Sequence, residues 1–194
     1  MQALILNGLS AEAVGGTTPA AAVTRALRGA GWTVEEVRLA EQTIPPCLGC
    51  FGCWTQTPGV CLLDDVSREN CRAIVHCQLL VFLTPVTFGG YSSHLKKQLD
   101  RSIPLISPLF GAVGGEIHHR RRYRRYPSLL GVGLLPEARP RAEELFTTLV
   151  QRNAINLHAP AWTSAFLYDA ETDAARAETL RSAVSMVAAG GRES

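Results

Sequence analysis

Four cysteines crowd into fifteen residues of this chain, in the stretch PPCLGCFGCWTQTPGVC at 45–61, and thiols set so close together have a short list of uses. Cys47, Cys50, Cys53 and Cys61 can pair as disulfides, hold zinc, ligate an iron–sulfur cluster, or line a site with sulfur alone. Three of them come at i, i+3 and i+6, and the fourth follows eight residues on. Structural zinc usually draws CxxC pairs from two separate knuckles. A CxxCxxC triplet fits better to a [4Fe–4S] cube, three corners of which one loop can wrap. A metal-free, sulfur-lined wall stays open beside that reading. Disulfides are disfavoured, because the first ten residues carry no cationic segment and no cleavage signature, which makes the reducing cytoplasm the expected compartment. The remaining pair, Cys71 and Cys77, sits in a helical apolar pattern and reads as core.

Two other stretches have chemical potential. The loop NGLSAEAVGGTT at 7–18 lacks both GxxxxGK[ST] and GxGxxG, so it offers neither a triphosphate cradle nor a dinucleotide fingerprint. It does offer Ser10, Thr17 and Thr18 beside the free amides of a helix start, a set suited to one phosphate bound without a cationic side chain. The run HHRRRYRRY at 118–126 holds five arginines, and without them the formal charge of +2 becomes −3. One basic stretch on an acidic body is a thin basis for nucleic-acid binding, so a solvated or subunit-facing segment is expected. His118 and His119 have no carboxylate partner that the sequence identifies and read as surface or interface residues.

The elements that position these residues alternate. ALIL at 3–6 reads as a buried strand, and Thr18-Pro19 opens a helix with Val23, Ala26 and Leu27 inward. WTVEEVRL at 32–39 is a strand whose adjacent glutamates suit a sheet edge. Asp64 or Asp65 caps a helix carrying Val66, Asn70, Ala73, Ile74 and Cys77, and QLLVFLTP at 78–85 is the most apolar strand, placed at the centre. Ser92 or Ser93 starts the next helix. LLGVGLL at 129–135 is the fourth strand, a helix over 137–152 buries Leu145, Phe146, Leu149 and Val150, a fifth strand falls near 154–159, and a last helix covers 170–189. Strands alternating with helices imply an α/β fold with a doubly wound, five-stranded parallel sheet in the order 2-1-3-4-5, and a ligand crevice at the carboxyl ends of strands one and three. The whole chain, 1–194, reads as one domain, with a cysteine-rich loop at 45–63 and an insertion at 102–126. No apolar run approaches the ~20 residues that cross a bilayer.

The loop TPVTFGGYSSHLKKQLDR at 84–101, taken with the cysteine loop, the two aspartates at 64 and 65 and GEIHHRRRYRRYP at 115–127, resembles the flavodoxin-like NAD(P)H-dependent FMN reductases, close to the iron–sulfur flavoprotein branch. The similarity covers most of residues 1 to 135. It implies that Ser10, Thr17 and Thr18 hold the FMN phosphate and that Pro85, Val86, Thr87, Phe88 and Gly89 line the isoalloxazine, with Thr87 standing where many relatives have tyrosine. It favours one [4Fe–4S] cube on Cys47, Cys50, Cys53 and Cys61, and a homodimer or homotetramer. The expected function is an FMN-dependent oxidoreductase that passes electrons from NAD(P)H through flavin to a quinone, flavin, metal or iron–sulfur acceptor. The alternative is a non-enzymatic FMN/[4Fe–4S] carrier serving a protein partner. No side chain stands out as a general acid or base.

Overall fold

The first apolar run forms β1 (Gln2–Asn7), and all of its residues after Gln2 are buried. A computed structural model describes residues 1–10 and 18–190. Thr17 therefore lies outside the described residues. Thr18 caps α1 (Pro19–Gly29), its hydroxyl oxygen accepting from the Ala21 amide at 3.2 Å, with proline at the first helical position. β2 (Thr33–Arg38) pairs in parallel with β1 alone, so the strand with two glutamates is an edge. The cysteine loop carries one short helical turn, α2 (Gly52–Thr55). Next come α3 (Ser67–His76), the fully buried β3 (Leu79–Pro85) and α4 (Ser93–Asp100), capped by Ser92.

The main sheet contains five strands in the order β2, β1, β3, β6 (Ser128–Leu135) and β7 (Trp162–Tyr168), all parallel. Counted along the sheet, this is the doubly wound order expected. Alternation along β1 splits the core into two layers. Ala3 and Ile5 face α1 and α6 (Asp173–Gly190), while Leu4 and Leu6 face α3, α4 and α5 (Pro140–Asn156).

Two expectations need correction, and one segment gains detail. The fifth strand is not at 154–159. No glycine or proline interrupts the chain before Pro160, so α5 runs on to Asn156, burying Ala154, and closes with the Leu157 amide on the Asn153 carbonyl; the strand begins at Trp162 and buries Ala165 and Leu167. Leu145 and Leu149 are on the open side of α5, not in the core, and lie against Gly89 and Gly90. The insertion at 102–126 contains an antiparallel hairpin, β4 (Ile106–Val113) and β5 (Glu116–Arg121), turned by Gly114 and Gly115 at φ of 58° and 86°. Consecutive glycines in the left-handed region make a hairpin turn whose twist matches the strands.

That hairpin is pinned to the body by ion pairs and ring contacts. Glu116 bonds to Arg152 of α5 and to His118 Nε2 (2.8 Å), and His118 Nδ1 meets Asn156 at 3.1 Å. His118 thus has a carboxylate partner that the sequence alone did not identify. Residues two apart on a strand share a face, and that placed Glu116 beside it.

Helix–sheet contact is closest at Gly131, where an added Cβ would stand 2.5 Å from Val150 Cγ2 and 3.3 Å from Phe146. Gly131→Ala is expected to lose about 1–3 kcal/mol through overpacking. Gly29→Ala, at a helical position with open space around it, is expected to be neutral or to gain up to about 1 kcal/mol. Urea unfolding of the two variants checks the pair; equal stabilities would contradict the packing.

Candidate functional site

Because β1 and β3 are neighbours and the chain leaves them toward opposite faces, their carboxyl ends bound a crevice. Its floor is stitched by one backbone bond and two bonds through the Ser92 and Thr84 hydroxyls. The Gly8 amide donates to the Leu83 carbonyl at 2.8 Å, the Ser92 hydroxyl donates to the Gly8 carbonyl at 2.7 Å, and the Ser92 amide donates to Thr84 Oγ1 at 2.9 Å. A Cβ on Gly8 would sit 2.7 Å from Ser92 Oγ and 2.9 Å from Leu95 Cβ, so only glycine permits the loop after β1 to lie this close to the start of α4. Ser10 is exposed just beyond that stitch, and Thr18 stands at the head of α1 with its hydroxyl proton free of the cap.

The loop after β3 forms the other wall. Val86 is tied to the Leu134 carbonyl (2.9 Å), and Thr87 and Gly90 exchange backbone bonds across a tight turn at Phe88 and Gly89. Both turn residues have positive φ, 50° and 79°. For glycine this costs nothing, whereas a phenylalanine held there is strained and marks a loop shaped for use. Phe88 is fully exposed. Val86, Thr87, Phe88 and Gly89 edge a cavity of about 520 Å³ that reaches Leu145, Arg139 and Arg141. That cavity takes in the four loop residues after Pro85, while neither Pro85 nor Gly8, Ser10 or Thr18 lines it.

The cysteine loop forms a separate chamber. All four thiols, Cys47, Cys50, Cys53 and Cys61, line one cavity of about 450 Å³ with Leu48, Phe51, Leu62 and Arg101. Burial, and then the facing Cys61, Cys47 and Cys50, push the Cys53 thiol above its ordinary range. By contrast Cys71 and Cys77 are core residues whose thiols burial drives up to about 11 and about 12. Among the described residues no three His, Cys, Asp or Glu side chains meet closely enough to hold a single metal ion.

Two arginines tie down the ends of the cysteine loop, while Cys47 and Cys50 themselves are exposed. Arg68 donates to the Cys61 carbonyl at 2.9 Å, to the Leu62 carbonyl at 3.2 Å and to Asp64 at 2.7 Å. Arg101, whose side chain is wholly buried, donates to the Pro45 carbonyl at 3.1 Å and pairs with Asp65 at 2.9 Å. Burial works against its charge, but Asp65 and Cys61 hold the guanidinium above its ordinary value. Trp54 is a packing residue: it stacks on Phe51 at 5.2 Å, lies 5.0 Å from His119, and donates its indole N–H to the Ile103 and Ile106 carbonyls.

Sequence reading located the thiols and both loops but missed Arg101, Arg68 and the Gly8–Ser92 contact. Only the adjoining DR at 100–101 hinted at Arg101. Its partners lie 36 and 56 residues away, and no local pattern encodes them.

Comparison with known proteins agrees with this geometry. An iron–sulfur flavoprotein of Methanocaldococcus jannaschii is 37% identical over 76 residues, 39% of this chain and 38% of that relative, so the match spans well under half the length of either. An NAD(P)H:quinone oxidoreductase from Methanothermobacter marburgensis has the same fold at a TM-score of 0.62, with 16% identity over 99% of this chain and 96% of that one. So does an FMN-dependent NADH-azoreductase from Bacillus anthracis, at 0.59, 12% identity and 98% of both chains. Residues 1–121 match the family described as NADPH-dependent FMN reductase. That span runs from β1 through the hairpin and takes in the crevice and the cysteine chamber alike, and on it this chain belongs to the NADPH-dependent FMN reductase family.

Proposed function

We propose that this protein is a cytoplasmic oxidoreductase that binds FMN in the crevice between β1 and β3 and passes electrons from NAD(P)H to an acceptor such as a quinone, a second flavin, a metal or an iron–sulfur centre. The observation that carries the reading is the crevice itself, in a chain of this family: Gly8 leaves no room for a side chain, and the 85–90 loop offers a flat, hydrogen-bonded edge. When bound, FMN supplies the electron chemistry, and the protein supplies binding and orientation. Ser10, Thr17 and Thr18 hold the phosphate at the head of α1. Pro85, Val86, Thr87, Phe88 and Gly89 lie along the ring system. Arg139 and Arg141 at the rim attract an anionic nicotinamide donor.

The sulfur chamber supports a second cofactor. Four cysteines around one open cavity, Cys53 buried and Cys47 and Cys50 exposed, are a donor set for a [4Fe–4S] cube on Cys47, Cys50, Cys53 and Cys61, which would supply one-electron transfer when bound. A bound cube would favour a second reading, an electron carrier for a protein partner. Steady-state NAD(P)H oxidation by holoprotein with a quinone or free flavin separates the two, since a carrier gives none. The exposed apolar residues Leu109, Phe110 and Ile117 of the hairpin and Phe88 of the flavin loop favour association of subunits into a homodimer or homotetramer.

Cofactor released by heat is expected to run as FMN on chromatography; FAD, or no flavin after reconstitution, would contradict the crevice assignment. Anaerobically prepared protein is expected to carry about four iron and four sulfide per chain, as the cube requires. Cys53→Ser is expected to lose most of that iron, and Cys71→Ser none. Iron-free protein that still holds FMN would remove the cube and leave the reductase. Light scattering is expected to report a multiple of the 21.0 kDa chain mass, against which a monomer would count.

A further inference from the structure

The Arg101 guanidinium is the one feature of the sulfur chamber that loop closure does not fully use. Its two terminal nitrogens are spent: one donates to the Pro45 carbonyl (3.1 Å) and pairs with Asp65 (2.9 Å), and the other reaches Asp65 (3.1 Å) and the Leu63 carbonyl (3.5 Å). The third, Nε, is buried and has no hydrogen-bond partner among the described residues. The residue lines the same cavity as the four thiols. A buried N–H without an acceptor is costly, and such groups in native structures call for a ligand or another explanation. Cys61 already acts on the guanidinium from that cavity, and the Asp100 carboxylate that also lines it is taken up by Lys96 at 2.5 Å.

We propose that Arg101 is the positioning and charge-compensating residue of the sulfur centre: it closes the 45–63 loop by holding the carbonyls at both ends, and its Nε–H and positive charge stabilise the centre in its more reduced, more negative state. This rests on the cluster reading above. When bound, the cube would take up single electrons, with no bond made or broken and no proton moved within the chamber, and the guanidinium would face the added negative charge. Hydrogen bonds to sulfur and nearby charge are recognised levers on cluster potential. Asp65 offsets part of the guanidinium's charge, so the two residues pull the potential in opposite directions.

The test uses anaerobically prepared holoprotein and three variants, Arg101→Gln, Arg101→Lys and Asp65→Asn, with iron and sulfide counted and the cluster potential read by redox titration. Arg101→Gln is expected to lower the potential by at least the 59 mV that corresponds to a tenfold change in a one-electron equilibrium. Arg101→Lys keeps the charge and is expected to recover part of that shift, and Asp65→Asn is expected to raise the potential. If Arg101→Gln does not fold, the Lys and Asn variants still decide the matter by the opposite signs of their shifts. Unchanged potentials in iron-loaded variants, or shifts of one sign in all three, would overturn the role of Arg101 and leave the cluster in place. A wild-type protein that takes up no iron would overturn both.

Discussion

A guanidinium cut off from water, paired with one carboxylate, organises the half of this protein that holds its sulfur. Arg101 at the end of α4 bonds to Pro45 ahead of the cysteines and to Asp65 behind them. Burying such a pair is expensive, and removing one partner typically costs 3–5 kcal/mol, roughly, because the other charge is left stranded. Asp65 also accepts from the Ser67 amide at 3.0 Å, so the same carboxylate starts α3. One ion pair thereby fixes the origin of one helix, the end of another and the mouth of the loop between them.

The same helix joins this chamber to the crevice. α4 begins at Ser92, whose hydroxyl binds the loop after β1, and ends at Arg101 in the sulfur cavity. Eight helical residues span about 12 Å. The proposed flavin and the proposed cluster would therefore sit at the two ends of one short rigid strut, held there by bonds that cross the fold instead of running along it. The sheet supplies the rest, since β1 and β3 carry residues into both core layers and their carboxyl ends cannot shift without disturbing both.

Much of this was legible in the amino-acid order. Two adjacent glutamates mark β2 as an edge, the unbroken apolar run of β3 marks the centre, and together they imply the strand order. What escaped was long-range or competed with a stronger local signal. Strand–helix alternation places a strand near 154–159, but with no breaker before Pro160 the helix continues to Asn156. Gly114-Gly115 is a hairpin turn signal that an arginine-rich context obscured. Leu145 and Leu149 fit the helical period and were assigned to the core, whereas the period describes a face and not what covers it. Arg101, the residue on which the cysteine loop depends, looks like an ordinary surface arginine at the end of an amphipathic helix until its distant partners are in view.

The central claim is that the crevice between β1 and β3 holds a flavin able to accept electrons from a nicotinamide. The most direct measurement is the visible spectrum of the anaerobic holoprotein before and after stoichiometric NAD(P)H is added. The account predicts an oxidised-flavin band that bleaches on mixing and returns when an acceptor is supplied. A flavin band that neither NADH nor NADPH bleaches, in protein that holds FMN at one per chain, would contradict it.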